Sequence, residues 1–171
     1  MKNRFFFIVA LLIAFASTET KAQTFIERTF FEVSTATGLR NNGITPIDFS
    51  FKCHVDIVPI FYLFITAEDN LSLYKAREIK TYTNGVSLGG GLGIKLLNRV
   101  KSIHSLDLRA KSLDSLGKPD WERTTYDVSL AWYIKSYKFS PIVELGYRFI
   151  DSHTDKYDNY GNAYISIGLR Y

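Results

Sequence analysis

Over most of the chain, apolar and polar residues alternate with a period of two, the pattern of a strand with one apolar and one polar face. Phe31, Val33, Thr35, Thr37 and Leu39 share a face opposite Glu32, Ser34, Ala36 and Gly38. Phe49, Phe51, Cys53, Val55 and Ile57 oppose Asp48, Ser50, Lys52, His54 and Asp56. The next run, IFYLFITA at 60–67, is apolar on both faces and leaves its register open. In GVSLGGGLGIKLL, Val86, Leu88, Gly90, Leu92, Ile94 and Leu96 oppose Ser87, Gly89, Gly91, Gly93 and Lys95. Leu106, Leu108 and Ala110 oppose Asp107, Arg109 and Lys111. Alternation returns over Tyr126–Ile134 with Asp127 on the polar face, and over Val143–Phe149 with Glu144 and Arg148 there. It closes over Ala163–Tyr171, with Tyr164, Ser166, Gly168 and Arg170 on one face. The pattern predicts eight strands.

Connections alternate in length. After strands two, four and six they are short: Val58-Pro59, Asn98 to Lys101 and Lys135 to Lys138. After strands one, three, five and seven they are longer and polar: Arg40 to Pro46, Glu68 to Asn84, Asp114 to Arg123 and Asp151 to Asn162. An up-and-down meander with tight turns at one end and long loops at the other is the layout of a transmembrane β-barrel. The expected fold is therefore all-β: an eight-stranded antiparallel up-and-down transmembrane β-barrel.

Alternation alone does not say which face points inward. A soluble lipocalin-like barrel carrying an apolar ligand puts the apolar face inside; a membrane barrel puts it outside. Strands of roughly 9–11 residues match a tilted span of the hydrocarbon layer. Phe31, Tyr126, Trp132, Tyr147, Phe149 and Tyr171 cluster near strand ends, as interfacial girdles do. The polar faces then supply an expected lumen network of Glu32, Asp48, Asp56, Asp107, Asp127 and Glu144 with Lys52, Lys95, Arg109, Lys111, Arg148 and Arg170. This balance of acids and bases suits a closed interior, where charges must be paired. An eight-stranded barrel is only wide enough for its own side chains. Gly89, Gly91 and Gly93 are expected on the lumen face, leaving room for Arg and Lys side chains from other strands to cross.

The chain has 171 residues, enough for one such domain. Its start has a basic Lys2 and Arg4, an apolar run of 12 residues from Phe5 to Ala16, and a polar stretch ending at Ala22. This is the pattern of a secretory signal peptide, too short for the roughly 20 residues of a spanning helix. Residues 1–22 are expected to be removed, leaving 23–171 as the barrel domain. Losing Lys2, Arg4, Lys21 and Glu19 lowers the net charge from +4 to +2, so the basic balance does not point to nucleic acid. The lone Cys53 cannot form an internal disulfide. The 11 Tyr and 13 Phe against four Pro favour strands.

Candidate chemistry is sparse. A P-loop needs Gly-Lys followed by Ser or Thr, but Ile94 separates Gly93 from Lys95 and Leu96 follows. His54, His104 and His153 lack metal-ligand spacing. Asp151, Asp155 and Asp158 do not match an EF-hand. Ser152 and His153 would suit an enzyme modifying lipid A, but neighbours on a strand point to opposite faces. Lys75, Arg77 and Lys80 lie close together and would meet lipopolysaccharide phosphates if the loop faces outward. No enzyme activity, cofactor or metal is expected.

The meander and the final strand YISIGLRY resemble the small outer-membrane β-barrels of the OmpA/OmpX type, especially those of Bacteroidetes; the ending TKAQ of the first segment is similar to signal peptides of that group. The resemblance implies an outer-membrane protein of a Gram-negative bacterium, a monomer with outer-membrane lipid and lipopolysaccharide as partners. It also implies that the barrel-assembly machinery reads the last strand through Tyr164, Gly168, Leu169 and Tyr171. A structural or surface-binding role follows, with a filled, non-conducting lumen.

Overall fold

The structure, a computed structural model, describes residues 28–39, 44–76, 79–97, 103–136, 138–155 and 157–171, with the backbone alone for 74–76 and 79–81. The expected signal segment and its cleavage after Ala22 lie outside the described residues. Eight strands follow one another: β1 Thr29–Gly38, β2 Ile44–Val58, β3 Phe61–Ala76, β4 Ile79–Leu97, β5 His104–Ser115, β6 Arg123–Ile134, β7 Ser140–Ser152 and β8 Tyr160–Arg170. Each pairs antiparallel with the next, and β8 pairs with β1, so the sheet is a closed barrel. Phe31 and Tyr171 exchange backbone hydrogen bonds of 2.9 and 2.8 Å at the seam. Closure leaves no edge along the barrel wall and satisfies its backbone groups within the wall.

The apolar face points outward. On β1, Val33 is 61% exposed while its neighbour Glu32 is 0% exposed. Phe49 and Phe51 on β2, Leu130 and Trp132 on β6, Leu145 and Tyr147 on β7, and Ile165 and Ile167 on β8 all face out. Inside lie carboxylates, guanidiniums, ammoniums and hydroxyls.

Strand β3 settles its register through its second half. Its first residues are apolar on both faces, but Thr66, Glu68, Asn70 and Ser72 continue one face inward, and Tyr62 and Phe64 go with them. The stretch from Glu68 to Asn84 is therefore not a loop. It is strand up to Ala76 and again from Ile79, paired as far as Ala76↔Ile79. The expectation failed because both faces there carry polar residues, which weakens the contrast on which alternation depends. This hairpin rises above β5, which pairs with β4 only from Ser87 onward.

The inward aromatics of β3 lie over the glycines of β4. Tyr62 pairs with Gly93, and Gly93 with Arg109 on β5, so the three occupy one cross-strand row. A Cβ on Gly93 would meet the Tyr62 ring. Phe64, Gly91 and Lys111 form the next row, where a Cβ on Gly91 would sit 2.6 Å from Phe64 Cζ and 2.8 Å from Lys111 Cβ. At Gly89 it would run into the β5 backbone at Ser112 and Leu113. Gly91 and Gly93 thus admit aromatics from the adjacent strand β3, and Gly91 also lies beside the Lys111 side chain of β5. Gly146 on β7 repeats the device, with the Tyr164 ring of β8 lying over it 2.6 Å from such a Cβ. Replacing Gly91 with Leu is expected to abolish the fast-migrating folded band on an unheated gel. Gly90→Leu, on the outward face, should retain it.

Candidate functional site

The interior polar residues form one connected network. In its middle, Arg109 donates through Nη1 and Nη2 to the two oxygens of Glu32, each at 3.0 Å, and through Nη1 to Glu144 Oε2 at 2.9 Å. Lys52 bridges the same two carboxylates at 2.7 and 3.0 Å. Ser129 and Tyr164 donate to Glu144 Oε1 at 2.7 and 2.9 Å. Two buried acids and two buried bases therefore compensate one another with ion pairs and hydrogen bonds, as charges withdrawn from water require. Tyr62 extends the group: its hydroxyl accepts from Arg109 Nε at 2.8 Å and donates to Asp107 at 2.9 Å. Tyr133 also donates to Asp107, at 3.2 Å.

Toward the long-loop end, Arg148 holds Asp127 with two bonds of 2.9 Å, reaches Glu68 at 3.2 Å and pairs with Asp48. Lys111 pairs with Glu68 and lies 3.1 Å from Asp127. Asn70 donates to Asp48 at 3.0 Å and accepts from Ser87 at 2.6 Å. Toward the short-turn end, Lys95 meets Asp56 at 2.5 Å. There the Arg170 guanidinium stacks on Phe30 at 4.3 Å and on Tyr133 at 5.0 Å.

All twelve charged residues expected in the lumen lie on the inner face, ten of them in ion pairs and Asp107 and Arg170 held by tyrosines and rings. Two more belong with them: Glu68, which the sequence reading left in a loop, and Arg123, which it placed at a loop end. Carrying the period of two back from Asp127 through Thr125 reaches Arg123, and forward from Thr66 it reaches Glu68. Among the described residues the interior then holds seven acids and seven bases. His54 is fully buried between Tyr62 and Phe64, with Nε2 3.3 Å from Glu32 Oε2 but out of hydrogen-bond alignment.

The four residues of β8 tied to assembly divide between faces. Tyr164 points inward onto Glu144, and Gly168 faces inward beside Ser34; Leu169 and Tyr171 face outward. Lys75 and Lys80 stand opposite each other near the end of the β3–β4 hairpin, and Arg77 lies outside the described residues. Ser152 Oγ accepts from Trp121 Nε1 at 3.0 Å and donates to the Thr154 carbonyl at 3.1 Å, while His153 Nε2 lies 3.8 Å from Asp151. The serine is thus bound into the loop structure rather than to a base.

Neither a protein-family model nor a curated protein matches the sequence. Among solved structures, Neisserial surface protein A is similar, at 15% identity and a TM-score of 0.51, over 83% of this chain and 94% of that one. The outer membrane protein Ail of Yersinia pestis in a phospholipid bilayer nanodisc aligns at 12% identity and a TM-score of 0.48, over 84% of this chain and 98% of that one. The first likeness shows the shared fold, a closed eight-stranded antiparallel barrel.

Removing a cation from a buried network leaves its carboxylates uncompensated. Arg109→Met should destabilise the folded barrel by roughly 3–5 kcal/mol in urea unfolding. Arg109→Lys, which keeps the charge but loses the two-pronged grip on Glu32, should cost less.

Proposed function

We propose that the protein is an integral outer-membrane barrel of a Gram-negative cell, with a structural or surface-binding role and a lumen that passes no ions. One observation carries this reading: the polarity of the barrel is inverted. Phe, Leu, Ile and Val cover the outside of the wall, and the charges are inside. A soluble protein rarely exposes more than a few hundred Å² of contiguous apolar surface. Lipid is the medium in which this exterior is stable and a closed sheet has no unsatisfied backbone. A soluble carrier of an apolar ligand would need the reverse arrangement.

The role we assign is that of a rigid stave carrying the β3–β4 hairpin and three loops on the outer side, with no catalytic step. The filled lumen rests on Arg109, which reaches from β5 to β1 and β7 and occupies the middle of the barrel together with Lys52. The expected export signal at 1–22 fits this location. In the same reading the barrel-assembly machinery takes up β8 and its flanking Tyr171, through Tyr164, Gly168, Leu169 and Tyr171. The protein works as a monomer.

Cell fractionation with heated and unheated gels tests the location. A band in the outer-membrane fraction that shifts on heating is expected, and a freely soluble protein would refute the reading. In a planar bilayer the purified barrel should show no steady nanosiemens steps, and their appearance would refute the closed lumen.

Lys75 and Lys80, at paired backbone positions in the hairpin, are with Arg77 the residues proposed to meet lipopolysaccharide phosphates. Replacing Lys75, Arg77 and Lys80 together with Gln should weaken binding to lipopolysaccharide micelles. Unchanged binding would remove that contact from the proposal.

A further inference from the structure

Strand β6 begins with a guanidinium that the charge network leaves unused. Arg123 is buried, 5% exposed. Its Nη1 reaches Ser72 Oγ at a long 3.4 Å, and its Cζ lies over the Trp121 ring, 4.6 Å from the ring centre. Its backbone is pinned on both sides by Ser115, whose hydroxyl accepts from Arg123 N and donates to Arg123 O, each at 3.0 Å. No described carboxylate forms an ion pair with it, whereas Arg109 and Arg148 each grip one with two bonds. A guanidinium has five N–H donors, and Ser72 takes one of them here.

The guanidinium borders a small recess between β3, β4 and the segment leading into β6. Ser72, Thr83, Ser87, Ser115 and Trp121 line it with Arg123, and exposed Asn84 stands at its rim. No acid lines it. The Ser87 and Ser115 hydroxyls already donate to Asn70 Oδ1 and to the Arg123 carbonyl. What remains facing the space is rich in donors: the guanidinium and the hydroxyls of Ser72 and Thr83. The accessible space is about 10 Å³, room for one water-sized group.

We infer that this recess binds the carboxylate group of a small organic acid, one oxygen seated in the recess and both oxygens held by the planar fork of Arg123. The geometry suits a carboxylate because two parallel N–H bonds match its two oxygens. The charges behind the recess limit it to a monoanion. Asp48, Glu68 and Asp127 exceed Lys111 and Arg148 by one negative charge, and none of the three acids is in ion-pair contact with Arg123. A dianion would add repulsion that a single cation does not cancel.

The test uses the full barrel folded in detergent micelles. The chain has two tryptophans, so Trp132→Phe leaves Trp121, stacked on the guanidinium, as the sole reporter. Sodium formate titrated at constant ionic strength in chloride should change Trp121 fluorescence saturably in the millimolar range. Sulfate should bind about tenfold more weakly or not at all. Arg123→Gln should remove the formate response, and Arg123→Lys should weaken it by at least about tenfold. An unheated gel confirms that each variant is folded; if the Gln variant is not, the Lys variant decides. A barrel that does not respond to formate, or a response unchanged in the Lys variant, overturns the assignment. So does sulfate binding as tightly as formate. The test does not require the protein to reside in the outer membrane, so its failure is separate from failure of that reading.

Discussion

A charge buried inside a barrel needs a counter-charge or hydrogen-bond partner from another stave, and this constraint organises the whole interior. Arg109 meets it by holding Glu32 on β1 and Glu144 on β7 with one guanidinium, so three separated staves are tied through the centre. Lys52 on β2 makes the same bridge from another side. Each oxygen of Glu144 then has its partners, from Lys52 and Arg109 on one and from Ser129 and Tyr164 on the other. Removing any one cation leaves buried acids uncompensated, so the members are coupled and the cross-section is set jointly.

The wall accommodates this network by thinning at chosen rows. Gly93 lets the Tyr62 ring lie flat enough for its hydroxyl to stand between Arg109 and Asp107. Gly146 does the same for Tyr164, whose hydroxyl reaches Glu144. In both places an aromatic on one strand crosses a glycine on the next; Tyr62 then touches polar residues one strand farther on, and Tyr164 one on the glycine's own strand. Tyrosine is suited to this because its ring packs against backbone while its hydroxyl both accepts and donates. The glycine run of β4 is thus part of the ion-pair architecture rather than a ligand loop.

The apolar exterior and the polar interior have different consequences. The exterior selects a medium and underlies the proposed membrane location. The interior selects a single cross-section, while both mouths retain a guanidinium without an ion pair to any described acid: Arg170 against Phe30 and Tyr133, and Arg123 against Trp121. The second borders a recess.

The sequence by itself determined the strand number, the meander order and which residues share a face in seven strands, because a period of two survives in any extended chain whatever it packs against. It also named twelve of the fourteen interior charges. It left β3 undecided, since Phe61 to Ala67 is apolar on both faces, and it read Glu68 to Asn84 as loop because polar residues on both faces erase the alternation. The pairings were decided only by the tertiary structure. Lys52 meets Glu144 from 92 residues away and Arg148 meets Asp48 from 100, distances along the chain that no local pattern encodes. Closing the barrel is what brings them together, since only then do opposite walls come within the reach of a lysine or arginine side chain.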